Sequence, residues 1–345
     1  MYLRLGTPYF VLQCDEGIVH GCGQDMEGAT AHDLVRPIAP TMTEVLTGLY
    51  GAPPTHLVDT PTGARQLSPL YPAADDLCAA TPGSYSSIVM LAPPGTLERR
   101  YVLGQALAAL SPGGTLRVVA PNHRGGARLG KELAAFGCVV DETSKNHHRI
   151  CIVRRPQDLT NVDAALAAGA PRLVEATGLW SQPGIFSWDR IDPGSALLAS
   201  RLPQLTGCGA DYGCGIGYLA RTVLQSNAVE RLDLVDIDRR AVEAARRNVP
   251  DARAYLHWAD ATGGDLALAD LDFVVTNPPF HDAGAEDKGL GQAFIRQAAK
   301  ALRTGGVCWL VANRHLPYEA ALSGAFRSVR LDHEADGFKI YEART

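Results

Sequence analysis

Apolar runs and helical stretches alternate along the second half of the chain. Leu234-Val235, Phe273-Val274-Val275 and Trp309-Leu310-Val311 are short buried-looking runs, and between them lie RRAVEAARRNV and GQAFIRQAAKALR with helical periodicity. Short apolar runs joined by stretches of that length predict parallel strands linked by crossover helices. An open doubly wound sheet follows, with ligands expected at the carboxyl ends of its strands.

The same pattern occurs twice. LSPGGTLRVVA (110–120) matches LRTGGVCWLVA (302–312) at an offset of 192, as a helix end, a Gly-Gly turn and a buried strand. Pro93-Pro94 match Pro278-Pro279 at an offset of 185, and Arg149-Ile150 match Lys339-Ile340 at 190. Three landmarks in one order predict duplication of an α/β unit, here as domains 1–155 and 156–345. The run from Pro156 to about Arg172, bounded by prolines and carrying one short alanine-rich amphipathic run, is expected to link them.

A length of 345 residues fits two such domains. A hydrophobic fraction of 46% with 20% charged residues excludes long disorder and coiled coils. No apolar run approaches membrane-spanning length, and the first residues are broken by Arg4, Pro8 and Asp15, so neither a membrane protein nor a secreted one is expected. The eight cysteines form no CxxC pair and no cluster at metal-ligand spacing, which predicts reduced thiols, no metal and a cytoplasmic location.

A net charge of -5 speaks against a general nucleic-acid coat, but the charge is segregated. Residues 1–95 hold three basic and nine acidic side chains, residues 96–155 ten and four, and residues 156–345 nineteen and twenty-four. The basic stretch from Arg99 to Arg155 is either a solvated face or a phosphate-binding surface. Arg124 and Arg128, after the strand LRVVA, are the leading candidates for phosphate contact.

The candidate chemistry lies in the second half. Asp211-Tyr212-Gly213-Cys214-Gly215-Ile216-Gly217 reads as a strand end, glycine turn and helix start, where glycines let the backbone approach a ligand. The strand before it, GCGAD, is unusually rich in glycine. Asp236 ends the next strand, twenty-three residues after Gly213, the spacing of a ribose-binding carboxylate. It could instead cap the following helix, although Asp238 is available for that. Asp260, in HWADAT, fits an adenine contact or a turn aspartate.

Asn277-Pro278-Pro279-Phe280 follows the buried run DFVVT. A planar exocyclic amine is a poor nucleophile because its lone pair is delocalised. The Asn277 side-chain oxygen and Pro278 carbonyl, stiffened by two prolines, are acceptors that favour a pyramidal nitrogen. Phe280 would stack on the base. The plainer reading is two prolines ending an edge strand.

Residues 183–345, with PGIFSWDRIDPGSALLASRLP, DYGCGIG, VDID, NPPFHD, GGVCWLVANRHLPY and FKIYEA in order, resemble the ribosomal RNA guanine-N2 methyltransferases, above all the small subunit methyltransferase C family. The sister family acting on the large subunit is similar too. The resemblance implies an α/β fold of two tandem doubly wound Rossmann-like methyltransferase domains, the N-terminal one degenerate. It implies S-adenosylmethionine as cofactor, ribosomal RNA or a ribosomal subunit as partner, and a monomer.

Carried over, the resemblance makes Asp211, Gly213 and Gly215 cofactor-turn residues, Asp236 the ribose ligand and Asp260 the adenine contact. Asn277, Pro278 and Phe280 become the amine clamp, and Tyr212, Cys214, Ile237, Ala261 and Asn277 complete the cofactor contacts. His281 is a candidate proton acceptor or a structural donor. The first copy has Ala92 in the asparagine position and no DxGxG turn, so it is expected to bind RNA and support its neighbour.

Adenine-N6 and glutamine-N5 methyltransferases share the NPP string and remain alternatives, as do a nicotinamide oxidoreductase and an inactive RNA-binding scaffold. The oxidoreductase has no use for NPPF, and the scaffold has no need of Asp236 or the glycines.

Overall fold

The computed structural model describes residues 46–263, 266–279, 281–282, 285–286 and 288–345. The first sheet is built from β1 (Leu46–Tyr50), β2 (Arg65–Gln66), β3 (Tyr85–Leu91), β4 (Leu110–Pro121), β5 (Val140–Lys145) and β6 (His148–Arg154), in the order β2-β1-β3-β4-β6-β5. Helices α1 (Thr96–Ala109) and α2 (Leu129–Ala135) connect its later strands. After α3 (Val162–Gly169) and a hairpin of β7 (Arg172–Val174) and β8 (Leu179–Ser181) comes α4 (Pro193–Arg201).

The second sheet takes β9 (Gly207–Tyr212), β10 (Val229–Asp236), β11 (Ala254–Trp258), β12 (Leu271–Thr276), β15 (Leu302–Asn313), β16 (Ser328–Ala335) and β17 (Phe338–Arg344). Their order is β11-β10-β9-β12-β15-β17-β16, the last two antiparallel. Helices α5 (Tyr218–Val223), α6 (Arg239–Asn248), α7 (Lys288–Ala301) and α8 (Glu319–Ala325) lie between strands, and β13 (His281–Asp282) pairs with β14 (Ala285–Glu286).

The first sheet repeats the second with one edge strand fewer. β1 stands where β9 stands, β3 where β12 does and β4 where β15 does, each inner pair parallel, followed by an antiparallel pair. The match extends to an irregularity. The Gly-Gly sequence expected as a turn is a bulge inside one twelve-residue strand, with the register jumping between Tyr85 and Ser87 opposite β4 and between Leu271 and Phe273 opposite β15.

The two glycines of each pair have different reasons. Gly113 and Gly305 are left-handed (φ 77° and 78°). A Cβ on Gly114 would lie 2.8 Å from the Ser111 carbonyl, and one on Gly306 2.9 Å from that of Arg303. The glycine content of β9 also has a steric cause, because a Cβ on Gly209 would collide with the Phe273 ring on the neighbouring strand.

The alanine-rich stretch expected as linker folds as α3 and joins the first core, where Leu159, Val162 and Ala165 pack with Val102, Leu103 and Ala106. Another connection ties the first half to α6. Arg240 spans the Asp238 carboxylate and Glu98 of α1 (2.7 Å), while Arg239 pairs with Asp76 (2.8 Å). The Pro69 carbonyl accepts from the Arg239 N–H and the Trp258 indole. These contacts hold the chain immediately beyond Asp236.

Candidate active site

The turn after β9 is a left-handed run of glycines, with φ of 72° at Gly213, 53° at Gly215 and 84° at Gly217. A side chain at any of them would be strained. An added Cβ on Gly215 would meet nothing within 4 Å, whereas one on Gly217 would press on Val249 at 2.7 Å. Gly215 therefore opens onto the cleft, and Gly217 lets α5 approach α6.

Asp236 is tied to this turn: one carboxylate oxygen accepts the Gly215 N–H (2.8 Å), the other the Asp238 N–H (2.9 Å). Capping of α6 falls to Asp238, whose side chain accepts the Arg240 N–H. Burial, opposed by those backbone donors, pushes the Asp236 pKa up to about 6.

Asp211 is fully buried and neither carboxylate oxygen has a hydrogen-bond partner among the described residues. Burial and the Asp236 charge push its pKa up to about 8. A buried carboxylate without a partner costs free energy unless it is protonated or meets a donor or cation.

Asn277 follows β12 and lies across the cleft from the glycine turn. A Cβ on Gly213 would stand 3.9 Å from its carbonyl oxygen. Its side-chain Nδ2 donates to the Asp192 carboxylate and to the Ser195 hydroxyl, both at 2.9 Å. With the amide nitrogen committed, the acceptor oxygen is the side chain's remaining polar group. Glycine turn, Asn277 and the segment 186–195 together line an open cleft, with Phe186, Arg190 and Asp192 on its wall.

Sequence reasoning missed that wall. Ser187 is left-handed (φ 50°) in it, and Asp192 caps α4 by accepting the Ser195 N–H at 2.8 Å with Pro193 in the first turn. Asp-Pro before a helical run is a readable N-terminus signal. Nothing in it announces a partner eighty-five residues away.

Residues 176–342 match the family model described as the methyltransferase small domain. The ribosomal RNA small subunit methyltransferase C of Pseudomonas aeruginosa (strain LESB58) is 34% identical over 284 residues, covering 81% of this chain and 85% of that protein. The protein of the same name from Ectopseudomonas mendocina is 32% identical, covering 76% and 80%. The chain belongs to the small subunit methyltransferase C family. The solved T. thermophilus 16S rRNA N2 G1207 methyltransferase (RsmC), in complex with AdoMet and guanosine, superposes with a TM-score of 0.71 at 24% identity over 87% of this chain and 88% of that one, sharing the fold.

The family's cofactor, S-adenosylmethionine, suits the groups present. Asp211 and Asp236 bring a buried and a half-buried carboxylate beside an open left-handed glycine turn, an environment that favours a cationic ligand carrying hydroxyl donors. The remaining candidates sit differently from one another. Tyr212 turns its ring into the core and is not among the residues lining the cleft, its carbonyl already accepting the Thr276 hydroxyl. Cys214 and Ala261 are buried, and Ile237 is 42% exposed beside Asp236. Asp260 is exposed and accepts both the N–H and the hydroxyl of Thr262, as a turn aspartate does. Pro278 is buried. Phe280 lies outside the described residues.

The basic stretch does not act as one surface. Arg99 is 1% exposed and makes a two-pronged pair with Glu132 (2.6 and 2.8 Å), so it cannot face RNA. Arg149 pairs with Glu142, and Arg155 donates to the Leu107 and Pro156 carbonyls. Arg124 and Arg128 flank the left-handed Gly125 beyond β4. Arg128 is exposed, Arg124 half-buried, and neither has a side-chain hydrogen bond or ion pair among the described residues. Among those residues no group of three metal-ligating side chains occurs, and no helix is long and apolar enough to cross a membrane.

Proposed function

We propose that the chain transfers a methyl group from S-adenosylmethionine to the N2 amine of a guanine in small-subunit ribosomal RNA, within the second copy. The observation that carries this reading is the Asn277 amide, pinned by Asp192 and Ser195 at the cleft that also holds the glycine turn. When bound, the cofactor supplies an electrophilic methyl on a sulfonium.

Asp236 would accept from the ribose hydroxyls, and the turn at Gly213 and Gly215 would let the backbone come close to the ligand. The Asn277 oxygen and Pro278 carbonyl would accept from the guanine amine and favour its pyramidal form, with Phe280 stacked on the base. In-line placement does most of the work, since orientation alone can supply effective molarities of about 10⁵ M or more. The proton on the methylated amine would pass to water or to a neighbouring acceptor such as His281.

We assign residues 156–345 to catalysis and residues 1–155 to RNA contact and support. Arg124 and Arg128 are the RNA-contact residues proposed, and the protein would work in the cytoplasm as a monomer. Incubation with labelled S-adenosylmethionine and, separately, small subunits, large subunits and release factor tests the reading. N2-methylguanosine recovered from small subunits supports it, and labelled adenine or glutamine contradicts it.

A further inference from the structure

We propose that Asp192 and Ser195 are positioning residues for methyl transfer, holding the Asn277 amide so that its oxygen rather than its nitrogen meets the amine to be methylated. The inference rests on the reading of Asn277 as the amine clamp. A primary amide is nearly symmetric in shape but opposite in polarity at its two ends. Flipped, it would present N–H to N–H and could neither accept from the amine nor favour its pyramidal form. Two acceptors, the Asp192 carboxylate and the Ser195 hydroxyl, both 2.9 Å from Nδ2, select one orientation. A flipped amide would set its oxygen against the Asp192 carboxylate.

The two partners are themselves fixed. The same carboxylate oxygen of Asp192 that accepts from Asn277 also accepts the Ser195 N–H at 2.8 Å, which locks it at the first turn of α4. Gly194, between them, has no room for a side chain: a Cβ would lie 2.8 Å from the Phe338 ring and 3.1 Å from the Asp192 carboxylate. The first turn of α4 is thus seated against β17 and delivers both acceptors to the end of β12. Asp192, Ser195 and Asn277 line one cleft, so the device sits beside the reacting atoms.

The test is single-turnover methylation of small ribosomal subunits by the full chain at saturating S-adenosylmethionine, together with calorimetric cofactor affinity. Ser195→Ala keeps the helix cap, because its N–H still donates, and removes one acceptor. It and Asp192→Ala should slow the saturated rate about 10- to 100-fold, the scale of a small misplacement at a reacting centre, with cofactor affinity unchanged. Ser195→Thr and Asp192→Asn each keep an acceptor oxygen and should restore the rate.

In an Asn277→Ala background, Ser195→Ala should add nothing further, since it acts through that side chain. The inference is overturned by normal rates in both alanine variants, by loss appearing only as weaker cofactor binding, by failure of the two conservative variants to restore the rate, or by equal slowing in the Asn277→Ala background. Full activity of Asn277→Ala alone would remove the clamp reading itself. A slow Asn277→Ala beside normal Ser195→Ala and Asp192→Ala would remove only the positioning role.

Discussion

After β3 the first copy passes through Pro93 and Pro94 and, one residue later, enters α1. After β12 the second passes through Pro278 and Pro279 and spends eight residues, 280–287, before α7 begins. From that point the copies run in register for a helix and a strand, so Arg99 corresponds to Gly291. In the first copy the Arg99 guanidinium donates to the Pro93 and Pro94 carbonyls at 3.2 and 2.7 Å, with Glu132 balancing its charge. In the second, the space over Gly291 belongs to the buried Tyr318 ring.

One copy has filled the acceptors after its prolines with its own side chain, and the other has kept an asparagine there and a cleft in front of it. The first copy therefore differs from the second by more than Ala92 in the asparagine position. The carbonyls are capped, the loop is cut to Gly95, and β1 ends in Gly51-Ala52-Pro53-Pro54 rather than a glycine turn.

The sharpest way to break this contrast is to unplug the first copy. Arg99→Ala leaves Glu132, whose side chain is 10% exposed, without its cation, and removal of one partner of a buried pair costs about 3 to 5 kcal/mol. Chemical denaturation should show that loss, and calorimetry should show no second cofactor site. A normal midpoint would mean the plug is incidental. In the second copy Asp236→Ala should weaken S-adenosylmethionine by about 1.5 to 3 kcal/mol, the worth of hydrogen bonds to a charged group. Unchanged affinity would move the ribose contact elsewhere.

A pH-dependent effect comes from Asp211. Its ordinary pKa of 3.8 becomes about 8 on folding, so the folded state holds a proton that the unfolded chain releases. Its contribution to stability is full below about pH 4 and is lost as the pH rises toward 8. Relative to the wild type, ligand-free Asp211→Asn should gain stability between pH 5 and 8, by at most about 1.4 kcal/mol per pH unit. Parallel stability curves across that range would contradict the assignment. The smallest effect belongs to the surface of the first copy: Arg124→Ala with Arg128→Ala should flatten the salt dependence of RNA binding by about two counterions. An unaltered slope would place RNA contact on the second copy.

Much of this architecture is legible in the chain because strand and turn signals are local. The left-handed glycines and the strand-end positions of Asp236 and Asn277 each follow from a few neighbouring residues, whereas the Gly-Gly pair, expected as a turn, is a bulge inside a strand. What escaped is non-local. Counting charge put Arg99 on a surface, whereas Glu132, thirty-three residues on, carries it into the core. The Asp192 and Ser195 partners of Asn277 lie eighty-five and eighty-two residues before it, and only the packing of α4 beside β15 and β17 brings them there. The alanine-rich run between the prolines shows its helix in the sequence, but an alanine face shows nothing of the helix it will meet.

The central claim is that one clamp, in the second copy, does the chemistry. Its most direct test is Asn277→Ala, measured for both cofactor binding and methyl transfer to small subunits. The variant should still bind one S-adenosylmethionine per chain and transfer its methyl about 10² to 10³ times more slowly, the cost of one preorganised polar contact at a reacting centre. Near-wild-type turnover with N2-methylguanosine as product would contradict the account.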